Sequence, residues 1–153
     1  MPLSVLTLNL WHDQGPWPER AARIREWIDR LTPDLIGFQE VLRGSGRDQA
    51  AELLDRRGYH IAFASASPFR REDSAYSPGE FGNAVASRFP ILESEAIRLP
   101  DAGDGEKRSA LAATLVPAIT IAADSDAELA EASAAAFTAA DFDANGKVSW
   151  EEF

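Results

Sequence analysis

The sequence predicts a mixed α/β fold, in which one β-sheet with flanking helices is followed by a C-terminal helix and an acidic loop. Residues 4–40 contain a strand-like run, a helical pattern and a second strand-like run. Three further strand-like runs lie between residues 83 and 116, and an alanine-rich helical pattern precedes the acidic end of the chain. The 153 residues, 45% hydrophobic and 26% charged, are enough for one ordinary core.

The first 40 residues predict a strand–helix–strand unit. Residues 4–11 (SVLTLNLW) form an apolar run of strand length. A helix is expected to begin at Pro18, because proline suits the first helical turn and apolar residues then recur at helical spacing as far as Leu31. Pro33 ends this helix, and residues 34–40 (DLIGFQE) resume a strand. Such a crossover indicates a parallel strand pair packed on its helix.

The middle of the chain predicts a second helix and several strands. The helix is expected to begin near Ser45, as its cap, and to end before Gly58. A strand follows, and then a polar loop at residues 67–82 that is rich in proline, glycine and arginine. Within this loop Arg70, Arg71 and Tyr76 are candidate phosphate contacts, although an ordinary solvated loop is favoured. Strands are predicted at 59–64, 83–88, 91–99, 109–116 and, more weakly, 119–122.

Composition changes near Pro117 and predicts a boundary between two units. Residues 117–153 carry eight acidic residues and a single basic one, Lys147. They therefore contribute −7 of the formal net charge of −10 of the chain. Ser125 and Glu128 have capping-box spacing and begin a predicted helix that reaches Ala140. We therefore predict a first domain at residues 1–123 and a calcium-binding unit at residues 124–153.

The last acidic segment has the spacing of an EF-hand calcium loop. Residues 141–152 (DFDANGKVSWEE) match the pattern D-x-[DN]-x-[DN]-G-x5-E at every fixed position. Calcium prefers six to eight oxygen ligands, and Gly146 permits the sharp bend that brings them together. The predicted Ca²⁺ ligands are Asp141, Asp143, Asn145, Lys147 through its carbonyl, Ser149 and Glu152. Since these loops normally fold in pairs between two helices, we expect weak binding or pairing with another copy or partner.

Composition also limits the classes of function. The chain has no cysteine, which excludes disulfides, a thiolate nucleophile and cysteine zinc sites. Its acidic balance disfavours tight coating of nucleic acid. No basic leader segment and no apolar run of about 20 residues is present, so we expect a soluble and cytoplasmic protein without a membrane span.

Three short motifs carry a resemblance to a known family. They are residues 7–11 (TLNLW), residues 33–41 (PDLIGFQEV) and residues 82–91 (GNAVASRFPI). Their order and their places on predicted strands resemble the endonuclease/exonuclease/phosphatase superfamily over about residues 3–116. The resemblance implies a partial DNase I-like α/β sandwich, with the second sheet expected to be missing.

The resemblance implies a magnesium-dependent site for phosphate-ester hydrolysis. Glu40 is implied to be a direct Mg²⁺ ligand, with Asn9 beside it, and Asn83 is implied to reach the active site. Physical reasoning agrees for the first two, because Mg²⁺ is usually held by one or two carboxylates together with water and phosphate. A solvated strand-end carboxylate at Glu40 and a turn-forming asparagine at Asn83 are the structural alternatives. His12 and His60 match no catalytic position of the family.

The chain also departs from the family pattern. It contains no Thr-x-His, Gly-Asp-x-Asn or Ser-Asp-His motif, all of which the family carries in its second half. We therefore expect a truncated or fused member with impaired catalysis, since no base is present to activate water. The alternative hypothesis is a calcium-binding module on a scaffold that has no catalytic role. The substrate among phosphate esters is left open.

Overall fold

The computed structural model describes residues 2–100, 103, 105 and 107–116 and the backbone of residues 135–139. In these ranges the chain forms mixed α/β structure, as predicted. The helices are α1 (Trp17–Leu31) and α2 (Gln49–Leu54). The strands are β1 (Val5–Asn9), β2 (Leu35–Gly44), β3 (Arg47–Asp48), β4 (His60–Phe69), β5 (Gly79–Ser87), β6 (Ile91–Arg98), β7 (Ser109–Leu115) and β8 (Ala135–Ala139).

The predicted strand–helix–strand unit is present. Strands β1 and β2 are parallel, with Val5 opposite Leu35 and Asn9 opposite Gln39, and α1 forms the crossover between them. Two prolines bound α1: Pro18 lies in its first turn, and Pro33 follows the left-handed Thr32 that caps its end. The crossover therefore brings the C-terminal end of β1 beside the middle of β2, at Gln39.

The larger sheet packs helices on one face and a second sheet on the other. Its strand order is β1-β2-β5-β4, with β3 paired to β2. Ile36 and Phe38 of β2 pack with Ile28 of α1 and Leu53 of α2 on the helical face. On the opposite face, Leu35, Ala64 and Val85 pack against the apolar residues of β7, which are Leu111, Ala113 and Leu115. The alternation of neighbouring residues between these two cores follows from the pleat of the strand.

The prediction of a single sheet is wrong. Strands β6, β7 and β8 form a second antiparallel sheet in that order, and β7 supplies its buried face. The strand-like runs at 91–99 and 109–116, which become β6 and β7, were predicted without a second sheet. Instead they form a separate layer, because the apolar face of the first sheet must be covered and a second sheet covers it.

The predicted C-terminal helix is also contradicted where the structure describes it. Residues Ala135–Ala139 form strand β8 and pair with β7, Leu111 opposite Ala139 and Leu115 opposite Ala135. Alanine favours helices, but its intrinsic preference is small and is readily overridden when an open strand edge offers hydrogen-bond partners. The weaker strand prediction at 119–122 lies outside the described residues.

Helix α2 begins later than predicted. Asp48, not Ser45, is its cap, and the Asp48 side chain accepts a 3.0 Å hydrogen bond from the Ala51 amide. The Ser45 hydroxyl instead donates a 2.7 Å hydrogen bond to the Ser77 carbonyl across the neighbouring loop. No helix in the described part of the chain has the length and apolar character needed to cross a bilayer.

Candidate functional site

Asn9 and Glu40 meet where β1 ends beside the middle of the parallel strand β2. Asn9 Nδ2 donates a 2.9 Å hydrogen bond to Glu40 Oε1, and Asn9 Oδ1 accepts a 2.7 Å hydrogen bond from the Trp11 amide. Both ends of the Asn9 amide are therefore fixed, and the carboxylate is held in one orientation. The Glu40 side chain is 15% exposed, so one part of it faces solvent. The two residues singled out in the sequence are thus brought together.

Glu40 lies in an irregular segment of β2. Its φ is +54°, in the left-handed region, and the pairing of β2 with β5 shifts register between Phe38 and Val41. A bulge of this kind redirects a side chain away from the alternation of the strand, and bulges are frequent beside active sites. A non-glycine residue at positive φ costs of the order of 1–3 kcal/mol, so the surrounding hydrogen bonds must hold the carboxylate in this position.

His12 also lies beside Glu40, although the sequence analysis gave it no role. Its amide donates a 3.2 Å hydrogen bond to the Glu40 carbonyl, and its Nε2 lies 3.4 Å from Glu40 Oε2. The imidazole packs edge-on against Phe81, with ring centroids 4.7 Å apart. Burial lowers the pKa of His12 from its usual 6.5, although the nearby Glu40 carboxylate opposes this shift. Trp11 and His12 both have left-handed backbone, each with a φ of +51°, and no sequence motif signals this turn.

An arginine and an aspartate stabilise the loop that carries His12. Arg20 of α1 donates to the carbonyls of Leu10 and Gln14, and its guanidinium lies 5.5 Å from the Trp11 ring centroid. Asp13 accepts a 2.5 Å hydrogen bond from Arg71 Nη2. These contacts tie residues 10–14 both to α1 and to the loop after β4, so the segment beside Glu40 is anchored at both ends.

Asn83 lies in a different environment from the other two predicted catalytic residues. It is fully buried on the face of β5 that meets the second sheet, and its Nδ2 donates a 2.7 Å hydrogen bond to the Ser109 carbonyl. Its Oδ1 has no hydrogen-bond partner among the described residues. The described contacts thus place its amide between the two sheets, and its catalytic role stays a prediction.

Two of the three candidate phosphate contacts in the polar loop, Arg71 and Tyr76, have structural partners, whereas Arg70 is exposed. Tyr76 is 1% exposed, donates a 2.7 Å hydrogen bond to Glu52 Oε2 and accepts a 3.1 Å hydrogen bond from Trp17 Nε1. Arg71 is paired with Asp13 and Asp73. Tyr76 is therefore a core residue rather than a surface contact. Part of the predicted loop also belongs to strands, because β4 extends to Phe69 and β5 begins at Gly79.

The described residues fit a divalent cation at Glu40 only in part. A buried His12 Nε2 without a hydrogen-bond partner in the described chain faces the Glu40 carboxylate, which still has free lone pairs. No group of three or more His, Cys, Asp or Glu side chains suited to a metal occurs within the described ranges. A cation held here therefore takes its remaining ligands from water or phosphate, as Mg²⁺ commonly does. The six predicted calcium ligands at 141–152 lie outside the described residues.

Similarity to known proteins agrees with this fold. The model of the Endonuclease/Exonuclease/phosphatase family matches residues 6–146. The crystal structure of an endonuclease/exonuclease/phosphatase from Beutenbergia cavernae DSM 12333 is 28% identical, with a TM-score of 0.57, and the match covers 76% of this chain and 35% of that one. The human Nocturnin catalytic domain with bound sulfate anion is 29% identical, with a TM-score of 0.57, over 74% of this chain and 44% of that one.

A third structure extends the fold comparison. A family protein from Leptotrichia buccalis C-1013-b is 14% identical, with a TM-score of 0.65, over 93% of this chain and 55% of that chain. The search of curated proteins finds no match. The chain spans less than half the length of the first two structures. Because the family match covers most of the sequence and the folds agree, the chain belongs to the endonuclease/exonuclease/phosphatase family.

Proposed function

We propose that this chain supplies one side of a metal-dependent site for phosphate-ester hydrolysis, with Glu40 as a direct Mg²⁺ ligand. The observation that carries the proposal is the Asn9–Glu40 hydrogen bond, which joins the end of β1 to the bulge in the middle of β2. A carboxylate fixed in this way loses little conformational freedom on binding a cation. A surface glutamate without a role gains nothing from the positive φ that Glu40 adopts.

The proposed roles follow from the chemistry of the two side chains. Glu40 contributes negative charge and oxygen lone pairs, which Mg²⁺ prefers. Asn9 orients Glu40, because its amide nitrogen is already committed to that carboxylate. A bound Mg²⁺ supplies electrostatic stabilisation of the charge that develops on phosphate. The sulfate held by the human Nocturnin catalytic domain, an oxyanion similar to phosphate, supports this class of substrate.

We further propose that the chain alone has low phosphoesterase activity. No Thr-x-His, Gly-Asp-x-Asn or Ser-Asp-His motif occurs in its sequence, and general bases contribute about 10²–10⁴-fold to such reactions. Asn83 is proposed as a further active-site residue. It would act from between the two sheets through its Oδ1, which no described residue contacts.

Calorimetry with a matched control tests the magnesium proposal. Metal-free protein carrying Glu152→Gln, which removes the predicted calcium site, is titrated with Mg²⁺, and the same protein with Glu40→Gln or with Glu95→Gln, an exposed glutamate of β6, is compared with it. We expect Glu40→Gln to weaken Mg²⁺ binding at least tenfold and Glu95→Gln to leave it unchanged. Equal binding by all three proteins contradicts the proposal. Rapid Glu40-dependent hydrolysis of a generic phosphodiester contradicts the low-activity part alone.

A second candidate function is calcium binding by residues 141–152, carried by the sequence pattern. In this proposal residues 141–152 bind calcium as a loop that follows strand β8 in the chain, and this unpaired loop associates with another copy or a partner. Titration with Ca²⁺ is expected to give heat that Glu152→Gln abolishes, because this glutamate supplies two of the ligand oxygens. Glu151→Gln, one position away, is the matched control. Calcium heat that survives Glu152→Gln contradicts this assignment.

A further inference from the structure

His12 Nε2 is a buried nitrogen beside a carboxylate that does not satisfy it. The two atoms His12 Nε2 and Glu40 Oε2 are 3.4 Å apart, and Nε2 has no hydrogen-bond partner among the described residues. A buried polar atom left in this way costs about 1–3 kcal/mol. Such atoms in native proteins call for an explanation, and an ion between the two atoms is one.

The spacing and the donor types both fit a shared cation. Two ligand atoms that each lie about 2.1 Å from one ion at a tetrahedral angle are about 3.4 Å apart. An imidazole nitrogen with a carboxylate oxygen suits first-row transition metals, whereas Mg²⁺ favours oxygen ligands alone. Histidine placed beside a metal-binding glutamate therefore changes which ions the site prefers.

The surroundings hold the imidazole in place. Phe81 packs edge-on against it, with ring centroids 4.7 Å apart, and the centroid of the Phe69 ring lies 6.3 Å from that of the imidazole. The His12 amide donates to the Glu40 carbonyl, so the backbones of the two residues are also joined. A ring that merely filled an apolar gap would not need a nitrogen facing Glu40, since phenylalanine packs there without leaving a polar atom unpaired.

We propose that His12 Nε2 and Glu40 Oε2 bind one transition-metal ion of the Zn²⁺ class, so that His12 sets the metal preference of the site. This rests on the proposed function in using Glu40 as a metal ligand, and it adds a nitrogen donor to that site. Water and the phosphate of the substrate complete the coordination. Asn9 continues to hold Oε1, which leaves Oε2 to face His12.

The test uses the two histidines of the chain as reporter and control. His60, the other histidine, is exposed at the start of β4. Full-length protein with ¹⁵N-labelled histidine is titrated with Zn²⁺ in excess Ca²⁺, and the ring nitrogens are followed by NMR, with His60→Asn assigning the signals. We expect one equivalent of Zn²⁺ to shift Nε2 of His12 and to leave His60 unchanged. The same concentration of Mg²⁺ is expected to leave Nε2 unshifted.

Two variants separate this inference from the proposed function. Glu40→Gln is expected to weaken Zn²⁺ binding at His12 at least tenfold, and His12→Asn is expected to do the same while changing Mg²⁺ affinity less than threefold. If Zn²⁺ shifts only His60, or shifts His12 equally in Glu40→Gln, the inference is overturned. Glu40-dependent Mg²⁺ binding in that case leaves the proposed function standing. Zn²⁺ binding at His12 without any Mg²⁺ binding supports the inference and contradicts the magnesium part of the proposed function.

Discussion

The side-chain amide of Asn9 donates a 2.9 Å hydrogen bond to Glu40 Oε1 and so joins the end of β1 to the middle of the parallel strand β2. The same amide accepts a hydrogen bond from the Trp11 backbone, which fixes its orientation. Charge-assisted hydrogen bonds of this kind are stronger than neutral ones, and they position the carboxylate before any cation arrives. The consequences of this arrangement can be measured separately from the stability of the fold.

Replacing Asn9 by alanine tests the orienting role. We expect Asn9→Ala to lower Mg²⁺ affinity about tenfold, because residues that orient a ligand contribute about 10–100-fold. The free energy of unfolding should fall by only about 1 kcal/mol, since the hydrogen bond is exposed. Calorimetry and urea denaturation measure the two effects. Gln14→Ala, an exposed residue of the adjacent turn, is the control, and unchanged Mg²⁺ affinity in Asn9→Ala rules the role out.

A substitution at Gly82 tests why the motif at residues 82–91 begins with glycine. A Cβ at Gly82 would lie 1.9 Å from the Ala64 carbonyl oxygen, which belongs to the backbone of β4 and cannot move away cheaply. We expect Gly82→Ala to lower the free energy of unfolding by about 3 kcal/mol or more. Gly46→Ala is the control: it has open space but a φ of +76°, so its cost should be about 1 kcal/mol. Equal losses would contradict the steric explanation.

Tyr76 connects α1, α2 and the loop before β5 through its hydroxyl. Tyr76→Phe leaves the Trp17 indole N–H and Glu52 without this partner, so we expect a loss of about 1–3 kcal/mol in chemical denaturation. The matched control is Tyr59→Phe. Its acceptor, the Pro33 carbonyl, keeps a 3.2 Å hydrogen bond from Arg88, so the loss should be smaller. A larger loss for Tyr59→Phe would show that the buried hydroxyl of Tyr76 is not needed.

Glu52 should make stability depend on pH in the acid range. Burial acts to raise the pKa of Glu52, but hydrogen bonds from Arg47 and Tyr76 outweigh it and the pKa is lowered from 4.5. A lowered folded-state pKa means that this stabilisation is present above pH 4.5 and is lost as pH falls through the folded value. We expect the stability difference between wild type and Glu52→Gln, measured from pH 7 to pH 3, to shrink below pH 4.5. A constant difference would disprove the linkage.

Much of the fold followed from local patterns. Pro18, Pro33 and the apolar spacing in α1 predicted the crossover, because proline restricts the backbone wherever it occurs. The cap of α2 and the strand β8 were mispredicted, since Ser45 has a competing partner in the Ser77 carbonyl and β8 completes an edge of β7. Both outcomes depend on residues distant in sequence, which local propensity does not describe.

The candidate site was predicted unevenly for a related reason. Glu40 and Asn9 were found because each ends a strand-like run in a recognisable motif. His12 was missed, because its position beside Glu40 depends on left-handed backbone at Trp11 and His12 and on a bulge in β2. Non-glycine residues at positive φ are uncommon, and sequence patterns seldom reveal them.

The sequence by itself determined the α/β class, the crossover between β1 and β2, the family and the pairing of Asn9 with Glu40. These features depend on residues that restrict the backbone or that mark the end of a strand. The influence of such residues extends over only a few positions of the chain. Only the tertiary structure decided that a second sheet covers the first, that Tyr76 is buried and that His12 faces Glu40. Each of these is a contact between distant segments, and its free energy comes from burial and hydrogen bonding that exist only when the layers are assembled.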